Sequence, residues 1–114
     1  MSKRTDREFL RDIQEAITRI EKYTFKMKFK EFLNDTKTQD AVIRNIEIIG
    51  EAVKNISANF KQNHKDIEWK LIAGMRDRII HFYFGIKWDV VWDVVKNNIP
   101  EFKSKIEYML KEFE

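Results

Sequence analysis

An apolar residue recurs every four and then three positions through Val42, Ile46, Ile49, Val53 and Ile56, and this rhythm restricts the fold more than any other feature of the chain. The spacing keeps all five side chains on one stripe of an α-helix, whereas a strand would scatter them over both faces. Ile43 and Ile48 fall off the stripe, so the helix is apolar around most of its circumference and is expected at the centre of the fold. Thr36 and Gln39 read as a capping box ahead of it, which sets its extent at about residues 37–58. Gly50 in the middle of a helix costs ~1 kcal/mol relative to alanine, so another backbone is expected to pass close to it.

The same period appears elsewhere. Thr5 and Glu8 form a capping box before Leu10, Ile13, Ile17 and Ile20, predicting a helix over about residues 5–22. Residues 23–30 alternate like a strand, but Phe25, Phe29 and Phe32 also fit a helical stripe, and a short helix is expected there. Asp66 can cap a helix that carries Trp69, Ile72, Arg76, Ile79, Ile80 and Tyr83 and stops at Gly85. Trp88, Val91, Trp92 and Val95 define the next helix, ended by Asn97, Asn98 and Pro100, and Pro100 opens a last one through Met109. With only three glycines and one proline, a strand-and-turn architecture is disfavoured. The expected fold is all-α, an up-and-down bundle of four to five helices in a single domain over residues 1–114.

Composition removes several function classes. A content of 43% hydrophobic and 36% charged residues is that of a globular chain. Without cysteine there are neither disulfides nor thiolate metal sites, and no metal centre is expected. No apolar run approaches the ~20 residues of a membrane span. Met1-Ser2-Lys3-Arg4 leads into an amphipathic stretch instead of a signal-peptide core, so a cytoplasmic address is expected. The net charge of +3 permits contact with a polyanion without requiring it.

The run Met75 to Tyr83 concentrates the chemistry: Arg76, Asp77, His81 and Tyr83 stand in two turns of an otherwise apolar helix. On a straight helix Arg76 and Tyr83 point within ~20° of each other, while His81 lies ~140° from Arg76 and above Asp77. Asp77 could then orient His81, and a second copy of the chain about a two-fold axis could bring an arginine and a histidine together. Gly74 leaves room on the Asp77 side for a ligand or partner. Plainer readings stand beside these. Arg76 could be a buried partner of Glu47 or Glu51, Asp77 a solvated residue, and Tyr83 part of the core. His64, in Lys61-Gln62-Asn63-His64-Lys65, reads as solvated loop. Lys22, Lys26, Lys28 and Lys30, interleaved with Phe25 and Phe29, form either a solvated face over an apolar one or a surface that steers RNA. The Trp88 and Trp92 stripe reads as core or dimer contact.

Arg76, a polar residue directly after it and His81 after four intervening residues resemble the signature of the HEPN domains, and Tyr83 two positions beyond resembles the HepT-like toxins among them. The blocks Ala41 to Ala52 and Trp69 to Arg76 also look like that family's second and motif helices, so the likeness spans nearly the whole chain. The resemblance implies a metal-independent endoribonuclease without a cofactor, the toxin of a toxin–antitoxin pair, acting on RNA as a homodimer with the motif helices lining a shared cleft. It implies Arg76, His81 and Asp77 as catalytic residues; beside them Arg44, and Glu51 where it does not pair with Arg76, are candidate supporting groups. It also implies an antitoxin of the MNT nucleotidyltransferase type that transfers AMP onto Tyr83. The alternative is a non-catalytic helical dimer that serves a nucleotidyltransferase as binding partner or substrate.

Overall fold

Two long antiparallel helices form the frame. In the computed structural model, which describes residues 4–81 and 85–114, with Ile80 and His81 through their backbone alone, α1 spans Asp6–Thr24 and α3 spans Thr36–Asn55. The expected stripe of α1, Leu10, Ile13, Ile17 and Ile20, is fully buried. So are Val42, Ile46, Ile49 and Val53 of α3, with Ile56 at its end. Burying each such side chain is worth about 1.5–3 kcal/mol, which explains why the period alone located both helices.

The ends of these helices are locally determined. Thr5 and Glu8 make the reciprocal capping box, the hydroxyl accepting from the Glu8 amide and the carboxylate from the Thr5 amide. At α3 the cap is Asp35 instead of the expected Thr36 and Gln39 pair: its carboxylate accepts from the Thr38 amide at 3.0 Å and from the Thr38 hydroxyl at 2.7 Å. Asp6 ties the two helices, accepting from the Ser57 amide and hydroxyl at 2.8 and 2.7 Å.

Between them the chain turns at Phe25–Lys28 and makes the short α2, Phe29–Leu33, later than the expected helix. Phe32 is fully buried against Trp88 and Trp92, with ring centroids 5.8 and 5.0 Å away, and Phe29 rests on Trp92 at 6.0 Å. The tryptophan stripe therefore faces α2 and belongs to the core. After α4, Ala58–Gln62, come α5, Trp69–Ala73, and α6, Met75–Ile79. Helix α7, Trp88–Asp93, passes through a π turn, Val94–Asn98, into α8, Ile99–Leu110, without leaving helical backbone angles. Pro100 thus sits inside a continuing helical path; the Ile99 amide bonds to Val94 five residues back, and the widened turn admits the proline ring.

The expected motif helix is not one helix. It starts without the Asp66 cap, since Glu68 occupies the N-cap position with no side-chain bond. It pauses at Gly74, whose amide closes α5, and restarts as α6. It ends at Ile79: residues 80–81 are extended, and their backbone pairs antiparallel with Gly85–Ile86, Ile80 opposite Ile86 and His81 opposite Gly85. The run from Ile79 to Phe84 is β-branched and aromatic, a composition that favours extended backbone. Gly85, at φ +85°, starts the return strand in a conformation that other residues rarely adopt. The two-residue ladder leaves the fold all-α.

The Gly50 expectation is met. A Cβ there would lie 3.2 Å from the carbonyl oxygen of Ala73, so α5 crosses α3 with its backbone nearly in contact. Gly74, expected to leave room for a ligand, instead faces its own helix: an added Cβ would meet the Lys70 carbonyl at 3.3 Å. His64 is not solvated loop. Phe60 stacks on its ring at 4.3 Å and its Nε2 lies 2.9 Å from a Glu112 carboxylate oxygen, joining α4 to the C-terminal turn.

Candidate functional site

Helix α3 presents one solvent-facing edge, and the spacing of its residues decides what that edge carries. Arg44, Glu47, Glu51 and Asn55 follow at intervals of three and four, so they share a face opposite the apolar stripe. With Phe9 and Asp12 of α1, Arg4 just before it and Arg76 of α6, they line a groove of about 480 Å³. Both expected supporting groups, Arg44 and Glu51, therefore line the same groove as Arg76.

Arg76 is held there by carboxylates. Its Nε lies 3.7 Å from a Glu47 oxygen and its Nη1 3.4 Å from an Asp77 oxygen. The side chain is 49% exposed, so it is neither a buried ion pair nor a sequestered charge. Neither of these loose contacts engages Nη2, so among the described residues the guanidinium keeps donors open to an anion. Asp77 is 74% exposed and reaches Arg76. The helical geometry that would have set it beneath His81 does not exist, because α6 ends at Ile79. The backbone of His81 begins the extended pair; Tyr83 lies outside the described residues.

At the far end of the groove Arg4 grips Asp12 with both terminal nitrogens, at 2.5 and 3.0 Å, and covers the Phe9 ring at 5.1 Å. The hydrogen bond to Asp12 holds the Arg4 guanidinium above its ordinary pKa, so this charge is permanent. Helical spacing does not relate Arg4 to Asp12, because Arg4 lies before the start of α1. Glu47 is expected only as a partner for Arg76, yet its place three residues from Arg44 and four from Glu51 carries the signal that it faces the same groove. Among the described residues, no group of three or more histidine, aspartate or glutamate side chains is placed to hold a metal ion. No described helix is long and apolar enough to cross a membrane.

The all-α bundle agrees with the fold that the HEPN resemblance implies. The chain belongs to the HepT-like ribonuclease family: the model of that family, described as "Ribonuclease HepT-like", matches residues 13–109. A protein of Thermococcus cleftensis named "Probable ribonuclease HepT" is 50% identical over 109 residues, covering 96% of this chain and 99% of its own length. "Putative RNase MJ0127" of Methanocaldococcus jannaschii is 46% identical over 114 residues, covering 100% of this chain and 94% of its own. "Putative RNase MJ1216" of the same organism is 41% identical over 114 residues, again covering 100% and 94%. No solved structure matches the chain.

Proposed function

We propose that this protein is a metal-independent endoribonuclease that cuts RNA in a cleft shared by two copies, as the toxin of a toxin–antitoxin pair. The observation that carries the reading is Arg76, held half-exposed in a groove beside Arg44 by single contacts to Glu47 and Asp77. A guanidinium so placed has donors to spare for a phosphodiester. Membership of the HepT-like ribonuclease family and the ribonuclease names of its relatives support the substrate class.

In this reading the 2′-oxygen of the substrate attacks the adjacent phosphorus and the bond to the 5′-oxygen breaks. The products are a 2′,3′-cyclic phosphate and a 5′-hydroxyl, and no co-reactant is consumed. A base must take the 2′-hydroxyl proton, and an acid must return one to the leaving oxygen. His81, whose unperturbed pKa is near 6.5, supplies both functions when two copies face each other across the cleft. Arg76 stabilises the charge that builds on the phosphorane oxygens. Asp77 holds Arg76 in place. A nucleotidyltransferase partner of the MNT type silences the site by moving AMP from ATP to the phenol oxygen of Tyr83 with release of pyrophosphate. The added bulk and negative charge, two residues from His81, repel RNA.

The test is cleavage of a single-stranded RNA by purified protein in the presence of EDTA. Arg76→Ala and His81→Ala are each expected to lower kcat/KM by about 10²–10³-fold, the usual cost of losing one charge-stabilising or proton-transfer group. Arg76→Ala should keep the wild-type melting temperature, because pairs between half-exposed groups contribute only about 0–1 kcal/mol. Folded variants that cut as well as wild type overturn the assignment. Wild-type protein that never cuts, yet gains AMP on Tyr83 when coexpressed with the nucleotidyltransferase, leaves the binding-partner alternative.

A further inference from the structure

The turn between α1 and α2 carries an aromatic and basic patch that the cleavage reading does not use. Lys22, Lys26, Lys28 and Lys30 are all exposed, and among the described residues none of them is ion-paired. Such lysines ordinarily form the wet side of an amphipathic segment whose aromatic residues are buried. That account holds for Phe29, packed on Trp92, and fails for Phe25, which is 74% exposed. Tyr23 is 40% exposed beside it.

The turn's geometry shows what holds Phe25 outward. Phe25, at φ −56° and ψ 125°, and Lys26, at φ +58°, form the two central positions of a type II turn closed by the Met27 amide on the Thr24 carbonyl at 3.0 Å. The second central position favours glycine, and lysine there carries a steric cost. The Lys26 ammonium lies 5.4 Å from the centroid of the Phe25 ring. A large exposed ring beside a cation, on a turn that is strained to present both, is the composition of a base-stacking and phosphate-contacting surface.

Its position continues the groove. Asp12 lines the groove, and Arg19 and Tyr23, seven and eleven residues further along α1, each project within about 20° of the same direction. Tyr23 is about 16 Å beyond Asp12 along the helix axis. Because α1 and α3 run antiparallel, with Asp6 bonded to Ser57, this direction along α1 also leads from Glu51 past Arg44 on α3.

We propose that the Tyr23–Lys28 turn is an accessory contact for single-stranded RNA, stacking a base on Phe25 and meeting the backbone with Lys26 and its neighbouring lysines, several nucleotides from the scissile bond. The proposal rests on the ribonuclease reading for its ligand. It is tested by fluorescence anisotropy with a labelled twelve-nucleotide oligouridine carrying 2′-O-methyl groups, which cannot be cut through its own 2′-hydroxyl. Phe25→Ala is expected to weaken binding roughly tenfold, the scale of one lost base stack. Lys26→Gly keeps the turn in its preferred residue, so folding is not at risk. It is expected to weaken binding and to lower the slope of log affinity against log salt by about 0.7. Tyr108→Ala, which removes an equally exposed ring from α8, should leave affinity unchanged.

Wild-type affinity in both turn variants overturns the proposal, even if the turn proves to hold another protein. An equal loss in Tyr108→Ala also overturns it, since the effect would then not be local. If the wild type cuts an unmodified dodecamer while the turn variants bind normally, only this contact falls. If the wild type binds through the turn yet never cuts, the cleavage reading falls alone.

Discussion

The α1–α3 pair and the α5–α6 segment are built on opposite terms. Each long helix carries an unbroken apolar stripe, a side chain that caps its N-terminus and 19 or 20 residues over which helical bonds accumulate. The two short helices have five residues each, no side-chain cap at the start and a glycine between them. Helices this short are not stable alone, because a costly first turn is followed by too few further bonds. They persist through what they lean on: Trp69, Met75 and Ile79 are buried, and Ala73 lies against Gly50. Arg76 is on the dependent half and Arg44 and Glu47 on the self-sufficient one, so the groove straddles a rigid wall and a supported one. A site divided in this way can be tuned by the contact between its halves without unfolding the frame.

The sharpest way to break the contrast is to damage the frame. Ile46→Ala, at a fully buried position on the central stripe, should lower unfolding free energy by about 2–5 kcal/mol, measured by urea denaturation, and groove and frame should be lost in one transition. Structure in α5–α6 that outlasts the unfolding of α1 and α3 would show the segment to be less dependent than argued. Gly50→Val acts at the junction instead. A side chain there must displace the Ala73 carbonyl, so a cost of about 1–3 kcal/mol is expected, with amide exchange rising over residues 69–79 before it rises in α1. Uniform exchange across both regions would mean that the close approach does not hold the short helices.

The same contrast explains what could be read in advance. In α1 and α3, period, burial and capping all point one way, so Leu10 to Ile20 and Val42 to Ile56 were located by spacing alone. The Thr36 and Gln39 capping box was displaced by Asp35, one residue earlier, whose carboxylate captures the Thr38 amide and hydroxyl together. Around the motif the signals conflict. Ile72, Arg76 and Ile79 keep a helical rhythm, while Ile79 to Phe84 carries extended propensity and Gly85 offers a way back. Periodicity extended the helix to Gly85; tertiary contacts and the β-branched run ended it at Ile79. Within the groove, Arg44, Glu47 and Glu51 stand on one helix face, a relation that is legible in their spacing although Glu47 is expected only as a partner for Arg76. Arg4 with Asp12 was not, since the pair depends on where the chain enters α1. The solvated-loop expectation for His64 fails because its partners, Phe60 in the preceding helix and Glu112 at the C-terminal turn, come together only through the fold.

The smallest effect expected is also the one that isolates local specification. The Asp35 carboxyl is held below its ordinary pKa chiefly by the hydrogen bond from the Thr38 amide, with the Thr38 hydroxyl adding to it. A carboxyl depressed in the folded state favours folding above its unfolded pKa of about 3.9, and that contribution disappears as pH falls through the lower folded value. Asp35→Ala should therefore melt a few degrees below wild type at pH 7 and at pH 5, and the gap should narrow below about pH 4. Asp35→Asn keeps an acceptor for the Thr38 amide but has no charge to lose, so its melting temperature should follow a flatter acid limb than wild type. Glu68→Ala, at the start of α5, should show neither the gap nor its pH dependence, because no side-chain cap exists there to remove. A gap at Asp35 that stays constant to pH 2 would mean that the charge of the cap does not set the start of α3, and a gap at Glu68 equal to it would erase the distinction between a helix that fixes its own ends and one that borrows them.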